Sequence, residues 1–346
     1  MKKKMLALSI ATTLVSGSAL AITPVHAAGN GPDVKGNETV QTAMLTTYDE
    51  MADFLKKEDA RQDAMQLEVI GQSVKGRDLY LAKYITNPEN PTILFLTQQH
   101  GNEAMTTEGA LDYIKYLGSD SRKIQDMLKK VNILIVPMLN ADGAMGDVNF
   151  PLDDYMASGR HLTRYNADRI DLNRDHVNKA APETRALHEM VLSKYKVDYM
   201  IDFHHQGTQE DYYGKLTTGS ILTPQNPDVD PQVALNSKKL ATILYQGIEP
   251  TGWSFILKYD EPSPNPNVAS NAMALQYGIS VMLFEMRGMA DHSYEPYVLG
   301  QKSNGYIIKQ AFLAMDSTAK AIADGTIKTA DPAVYDNLPE QHYSYE

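Results

Sequence analysis

The sequence predicts an α/β fold, one sheet covered on both faces by helices, and three observations point there. Four short apolar runs, Ile93 to Leu96, Ile133 to Val136, Tyr199 to Phe203 and Ile279 to Phe284, lack the alternation of a half-solvated strand and are bounded by turn or polar residues. Helical patterns lie between them. The composition, 43% hydrophobic and 22% charged over 346 residues, is that of a globular chain able to bury a sizeable core.

Taken in order, the chain opens with Lys2, Lys3 and Lys4, an apolar stretch from Met5 to about Ala21, and small residues around Ala27 and Ala28. This reads as a secretory signal over residues 1–27, interrupted by too many Ser and Thr for a retained membrane anchor. Residues 28–40 are rich in Gly, Asn, Pro and Asp, a short leader. A single folded domain is expected over 41–325. Thr107 to Leu117 places Ala110, Leu111, Ile114 and Leu117 on one helix face, and Pro182 opens a second helix running to Lys194. Thr223 to Pro231 and Asp260 to Asn267 read as loops. Residues 326–346 have weak periodicity and form a tail to which no structure is assigned.

Charge and cysteine content exclude whole classes. With 32 Lys plus Arg against 43 Asp plus Glu, the net charge is −11, and no basic run occurs beyond the extreme N-terminus. Nucleic acid and anionic membrane surfaces are therefore not expected as partners, and after the signal no stretch approaches the roughly 18 apolar residues that a membrane span requires. The absence of cysteine removes disulfides, thiol nucleophiles and Cys-based metal sites, so any metal must be held by His and carboxylate.

Reactive side chains collect where the apolar runs end. Ile93 to Leu96 leads into His100 and Glu103, Tyr199 to Phe203 into His204 and His205, and Ile279 to Phe284 into Glu285. In open α/β sheets such strand ends form the ligand crevice, so distant residues converge there. His100, Glu103 and His204 would offer two imidazoles and a carboxylate, leaving zinc one open position, as in a catalytic site. Duller readings are set beside this one. HxxE is common by chance, and a His after a strand is usually solvated. His188 and Glu189 begin like HExxH, but Leu192 breaks that motif. Ser193 to Lys196 lacks the companions of a serine amidohydrolase, and Gly214 to Gly219 lacks the Lys of a phosphate loop. His161, His176, His292 and His342 have no partner spacing and are read as solvated or as supporting a ligand from behind.

A second cluster is Arg164, Tyr165, Asn166 and then Asp171 to Asp175. Such a stretch before a helix is ordinarily a solvated connection. Beside a zinc site, one Arg with a neighbouring Asn suits a free substrate carboxylate, and another Arg can hold a developing oxyanion.

These residues together resemble the zinc carboxypeptidase family of the carboxypeptidase A and B type. The resemblance runs from about Thr46 to about Ala321 through GQSVKGRDLYLAKY, QHGNEA, PMLNADG, RYN, DLNRD, DFHH and FEMRG. It implies a single domain with a mixed, mostly parallel twisted sheet. It also implies one Zn2+ per chain on His100, Glu103 and His204, with Glu285 as general base acting on a zinc-activated water. Arg164 would polarise the scissile carbonyl, Asn173 and Arg174 would hold the terminal carboxylate of a peptide substrate, and Asp171 would orient His100. The family's mobile tyrosine has no secure counterpart; Tyr259 is the candidate. His205 replaces His204 as ligand if the strand register is shifted by one. The stretch around Ser270 and Asn271, where specificity is expected to lie, is uncharged, and the leader is too short for a folded inhibitory prosegment.

The expected function is thus a secreted zinc metallocarboxypeptidase. Alternatives are an aspartoacylase-like deacylase of N-acyl amino acids, which shares the HGNE, Arg, DLNR and DxH elements, a cell-wall stem-peptide hydrolase, and a non-catalytic binding module. The preferred terminal residue and the oligomeric state are not legible.

Overall fold

The structure, a computed structural model, describes residues 45–150, 162–206, 210–212, 215–259, 263–287 and 305–341. The expected signal and leader lie outside these residues, as do His161, His292 and His342. In chain order the elements are α1 (Tyr48–Arg61), β1 (Gln66–Gln72), β2 (Asp78–Tyr84), β3 (Thr92–Thr97), α2 (Ala104–Leu117), α3 (Arg122–Leu128), β4 (Asn132–Val136) and α4 (Ala141–Met145). There follow α5 (Pro182–Ala186), β5 (Tyr199–Gln206), β6 (Glu210–Tyr212), β7 (Lys215–Leu216), β8 (Gly219–Leu222), α6 (Pro231–Ile248), β9 (Ile256–Lys258), α7 (Ala269–Tyr277), β10 (Ser280–Arg287), α8 (Gly305–Asp324) and α9 (Pro332–Asp336).

Eight strands form one mixed sheet in the order β1-β2-β4-β3-β5-β10-β8-β9. Its centre, β4-β3-β5-β10, is parallel throughout, and these are the four strands that the apolar runs predict. Continuous runs suit them because both faces are covered. The expectation of a mixed, mostly parallel sheet between helices holds.

Three phenylalanines fix how the central strands sit against one another. Phe95 of β3, Phe203 of β5 and Phe284 of β10 form an edge-on row, with ring centroids 6.2 Å apart at each step. Tyr113 of α2 packs edge-on against Phe95, and Phe312 of α8 packs on Tyr113, so helices cap this face. Side chains alternate along a strand. The residues following Phe203 and Phe284, which are His204 and Glu285, therefore point from the opposite face.

Two local features differ from the sequence reading. The helix from Pro182 is α-helical only to Ala186; Leu187–Leu192 is a π-helical turn, in which the Ser193 N–H reaches back five residues to the His188 carbonyl. Residues 326–341, for which weak periodicity gave no structure, fold onto the domain. Tyr335 and Leu338 are buried, and Lys258 and Gln341 exchange backbone hydrogen bonds with their opposite segments, Lys258 N–H to Pro339 O and Gln341 N–H to Lys258 O, both 2.9 Å. Short apolar anchors, not helical periodicity, hold this segment.

Candidate active site

The loop after β3 is built by tight backbone approach. Gln98 leaves the strand at φ 52°, a left-handed conformation unusual for a non-glycine residue. Its own contacts hold it there: its N–H donates to Thr106 Oγ1 at 3.0 Å and its Nε2 to Gly101 O at 2.8 Å. A Cβ on Gly101 would lie 2.3 Å from Gly143 C and 2.3 Å from Thr163 O, so only glycine fits. Asn140 ties the same three segments. Its Nδ2 donates to Gln99 O (3.2 Å) and Arg164 O (3.0 Å), while its Oδ1 accepts from Gly143 N–H (3.0 Å). The QHGNEA, PMLNADG and RYN segments are thus one interlocked unit, and α2 starts directly after Glu103.

His100, Glu103 and His204 meet in this crevice, all buried, with one ligand-type atom from each within 4.8 Å of the others. His100 Nδ1 is 2.7 Å from Glu103 Oε1 and 3.0 Å from His204 Nδ1. His204 Nδ1 is 3.0 Å from Glu103 Oε2. The outer nitrogens face carboxylates: His100 Nε2 is 3.2 Å from Asp171 Oδ1, and His204 Nε2 is 2.9 Å from Asp202 Oδ2. A carboxylate accepts only, so each Nε2 carries a proton, and each Nδ1 faces inward, where a cation would take the place of a proton on its lone pair. Two lone pairs and a carboxylate converging at about 3 Å suit a cation; ligands 2.0–2.1 Å from a tetrahedral zinc lie about 3.3 Å from each other. The donor set fits zinc.

The electrostatics agree. Burial alone would lower the His204 pKa, but the carboxylates of Asp202 and Glu103 outweigh it and hold it well above the ordinary imidazole value. Burial would raise Glu103, but His100 and His204 overcome that and keep it ionised. So much negative charge around two imidazoles is a place for positive charge.

Glu285 pairs directly with His204 across the parallel β5/β10 ladder. Burial pushes its carboxyl up to about 7, with Glu103 adding to the rise and His204 opposing it. Its Oε2 is buried and has no hydrogen-bond partner among the described residues. Arg164 reaches in from the other side, with Nε 3.3 Å from Asp171 Oδ2 and Nη1 3.7 Å from Glu103 Oε1. Asp171 thereby links His100 to Arg164.

The remaining candidates are each held by hydrogen bonds of their own. Asn173 is buried, and its Oδ1 accepts from the Ala269 N–H at 2.8 Å, which joins the DLNR turn to α7. Arg174 is exposed and donates from Nη1 to Asn173 O at 2.9 Å. Asn271 closes loops, its Oδ1 accepting from the Gln225 and Asn226 N–H groups. Tyr259 follows the edge strand β9, half-buried, its N–H donating to Ile221 O. Its backbone thus lies outside the parallel centre that carries His204 and Glu285. His205 is buried on the face away from His204.

Sequence reasoning missed two participants, Gln99 and Asp202, and left His176 between two readings. All three are buried and hydrogen-bonded behind His204. Of its two readings, His176 takes the supporting one and is not solvated. The available signal was position alone: Asp202 stands two residues before His204, Gln99 next to His100, and His176 beside the acidic DLNRD turn.

Comparison with known proteins agrees with this geometry. Residues 51–213 match the family model described as zinc carboxypeptidase. Mouse carboxypeptidase D is 27% identical over 201 residues, covering 53% of this chain and 14% of its own length, so the chain spans a small part of that relative. A metallo-carboxypeptidase structure from Burkholderia cenocepacia superposes with a TM-score of 0.61 at 16% identity, covering 80% of this chain and 69% of the other. One from Pseudomonas aeruginosa, in complex with (2-guanidinoethylmercapto)succinic acid, gives 0.59 at 21%, covering 79% and 68%. At such identities the two structures speak for the fold. Residues 51–213, which carry His100, Glu103, Arg164, the DLNR turn and His204, match the zinc carboxypeptidase family, and the fold that sets Glu285 beside His204 is shared with metallo-carboxypeptidases.

Proposed function

We propose that the chain is a zinc metallocarboxypeptidase that hydrolyses the C-terminal peptide bond of peptides, exported under the direction of residues 1–27. The observation that carries this is the convergence of His100, Glu103 and His204 beside a carboxylate, Glu285, with a buried unpartnered oxygen.

Zinc bound by those three residues would act as a Lewis acid and bring the pKa of water down toward about 7. The chain's own groups do the rest. Glu285, poised near neutrality by burial, takes a proton from the attacking water and returns it to the leaving amine. Arg164, held by Asp171, directs its guanidinium to the oxygen on which negative charge develops. With the Oδ1 of Asn173 held on Ala269 N–H, its amide N–H2 is left to donate to substrate, next in the chain to Arg174, whose exposed guanidinium bonds the Asn173 carbonyl. Together they form a fork for a terminal carboxylate. Asp171 and Asp202 keep both imidazoles in the tautomer that offers Nδ1.

The test is a panel of N-blocked dipeptides with product analysis. Release of the free C-terminal amino acid, abolished by chelation and restored by zinc, is the expected result. Release of the acyl group with the peptide bond intact would replace the peptidase by a deacylase, and a purified protein that takes up no zinc would leave a binding module. N-terminal sequencing of protein recovered outside the cells checks cleavage near Ala27.

A further inference from the structure

Behind His204 runs a continuous buried chain of polar groups that hydrolysis does not itself require. Asp202 Oδ2 accepts from His204 Nε2 (2.9 Å) and from Gln99 Nε2 (2.7 Å). Gln99 Oε1 is 2.9 Å from His176 Nε2, His176 Nδ1 is 3.1 Å from His188 Nε2, and His188 Nδ1 is 2.8 Å from the Tyr277 hydroxyl. Asp202, Gln99, His176 and His188 are all buried, whereas Tyr277, at the end of α7, is half-buried.

The direction of every link is forced. The Asp202 carboxylate accepts only, so Gln99 must turn its N–H2 toward it and its Oε1 toward His176. His176 must then be protonated on Nε2, which leaves Nδ1 as acceptor. His188 must donate from Nε2 and accept on Nδ1, and Tyr277 donates its O–H. All five donors point toward one carboxylate. Burial keeps both outer histidines neutral, each pushed down to about 3, and a neutral imidazole with one donor and one acceptor is what the chain needs. The turn carrying His188 is the π-helical one, a rare geometry that recurs at functional sites.

We infer that Gln99 and His176, continued by His188 and Tyr277, are positioning residues that lock Asp202, and through it the Nε2–H tautomer and ring plane of His204, so that Nδ1 faces the cation. The inference rests on the reading of His204 as a zinc ligand and deepens it. A polar chain of this kind acts as a unit, because a partly satisfied buried network loses more than one pairwise bond.

Zinc affinity, read by chelator competition on the full chain, tests it, with the thermal midpoint of the zinc-free protein as the control for folding. His176→Leu removes the donor to Gln99 and is expected to weaken zinc binding about tenfold, the lower end for loss of an outer partner of a metal-bound imidazole. His176→Gln keeps a donor toward Gln99 and should recover most of the affinity. Gln99→Met breaks the chain next to Asp202 and should cost more, within about 10–100-fold. Tyr277→Phe, at the half-buried end, keeps the fold and should shift affinity in the same direction by a smaller factor. A purely structural role would lower the midpoint and leave zinc affinity alone. Unchanged affinity in the variants that fold, Tyr277→Phe among them, overturns the proposal. A parent protein that takes up no zinc overturns the metal reading itself, and this role with it.

Discussion

His204 and Glu285 are direct register partners on neighbouring parallel strands, so their side chains leave the same face of the sheet side by side. In the proposed mechanism the relation separates two roles across one ladder rung, ligand on β5 and base on β10. On that reading Glu285→Gln removes the base and no ligand. It is expected to keep zinc at the parent stoichiometry while turnover falls by ~10²–10⁴-fold. Metal analysis alongside single-turnover hydrolysis checks this, and parent-like turnover would remove Glu285 from the mechanism.

Arg174 is exposed and anchored only to the Asn173 carbonyl in its described hydrogen bonds. Its loss should leave the fold untouched. In Arg174→Ala, kcat/KM for substrates ending in a free carboxylate is expected to drop about 10–100-fold, the value of a charge-assisted hydrogen bond. Substrates with an amidated C-terminus, poor to begin with, should lose little more. Equal losses on both would show that the guanidinium does not read the carboxylate.

Gly101 offers a test on stability. A methyl group there would meet backbone atoms at 2.3 Å on two sides, and backbone cannot rotate away. Gly101→Ala should cost about 1–3 kcal/mol, the range for overpacking, and should loosen zinc binding because His100 sits next in the chain. Urea midpoints of the zinc-free proteins give the first number; an unchanged midpoint would mean the loop is far more compliant than its contacts imply.

Acid stability depends on the outer histidines. His176 and His188 have folded pKa values lowered to about 3, against about 6.5 when unfolded. Between those values the unfolded chain binds more protons than the folded one, so stability is present above about 6.5 and is lost as pH falls toward 3. Each contributes a slope of up to about 1.4 kcal/mol per pH unit. Glu285, raised to about 7, works in the opposite direction in part of the same window, so the effect is best read as a difference. On chelated protein between pH 6.5 and 5, His176→Gln should flatten the stability slope by up to that amount; slopes that coincide would contradict burial of a neutral imidazole at 176.

What the sequence reveals follows from where each signal is stored. The four central strands are legible because burial on both faces leaves uninterrupted apolar runs, and β3 and β10 extend the runs by only a few residues. The flanking strands are not: β1 has mixed burial, and β8 and β9 are four and three residues long, too short for any period. His100 and Glu103 are legible as a local pair and His204 and Glu285 as strand ends, since the fold class alone says that such ends converge. The chain from Asp202 through His176 to Tyr277 is not. Its bonded neighbours lie up to 103 residues apart in sequence and are joined by hydrogen bonds that leave no spacing behind.

The segment from Thr326 to Gln341 has one more consequence. By laying Pro339 to Gln341 along Lys258, it pairs the outward-facing backbone of the last residue of β9, the final strand of the sheet on that side. An uncovered strand margin is a template for a foreign chain. At Lys258 the docked segment already fills that place, so an incoming strand would have to displace it to continue the ladder there.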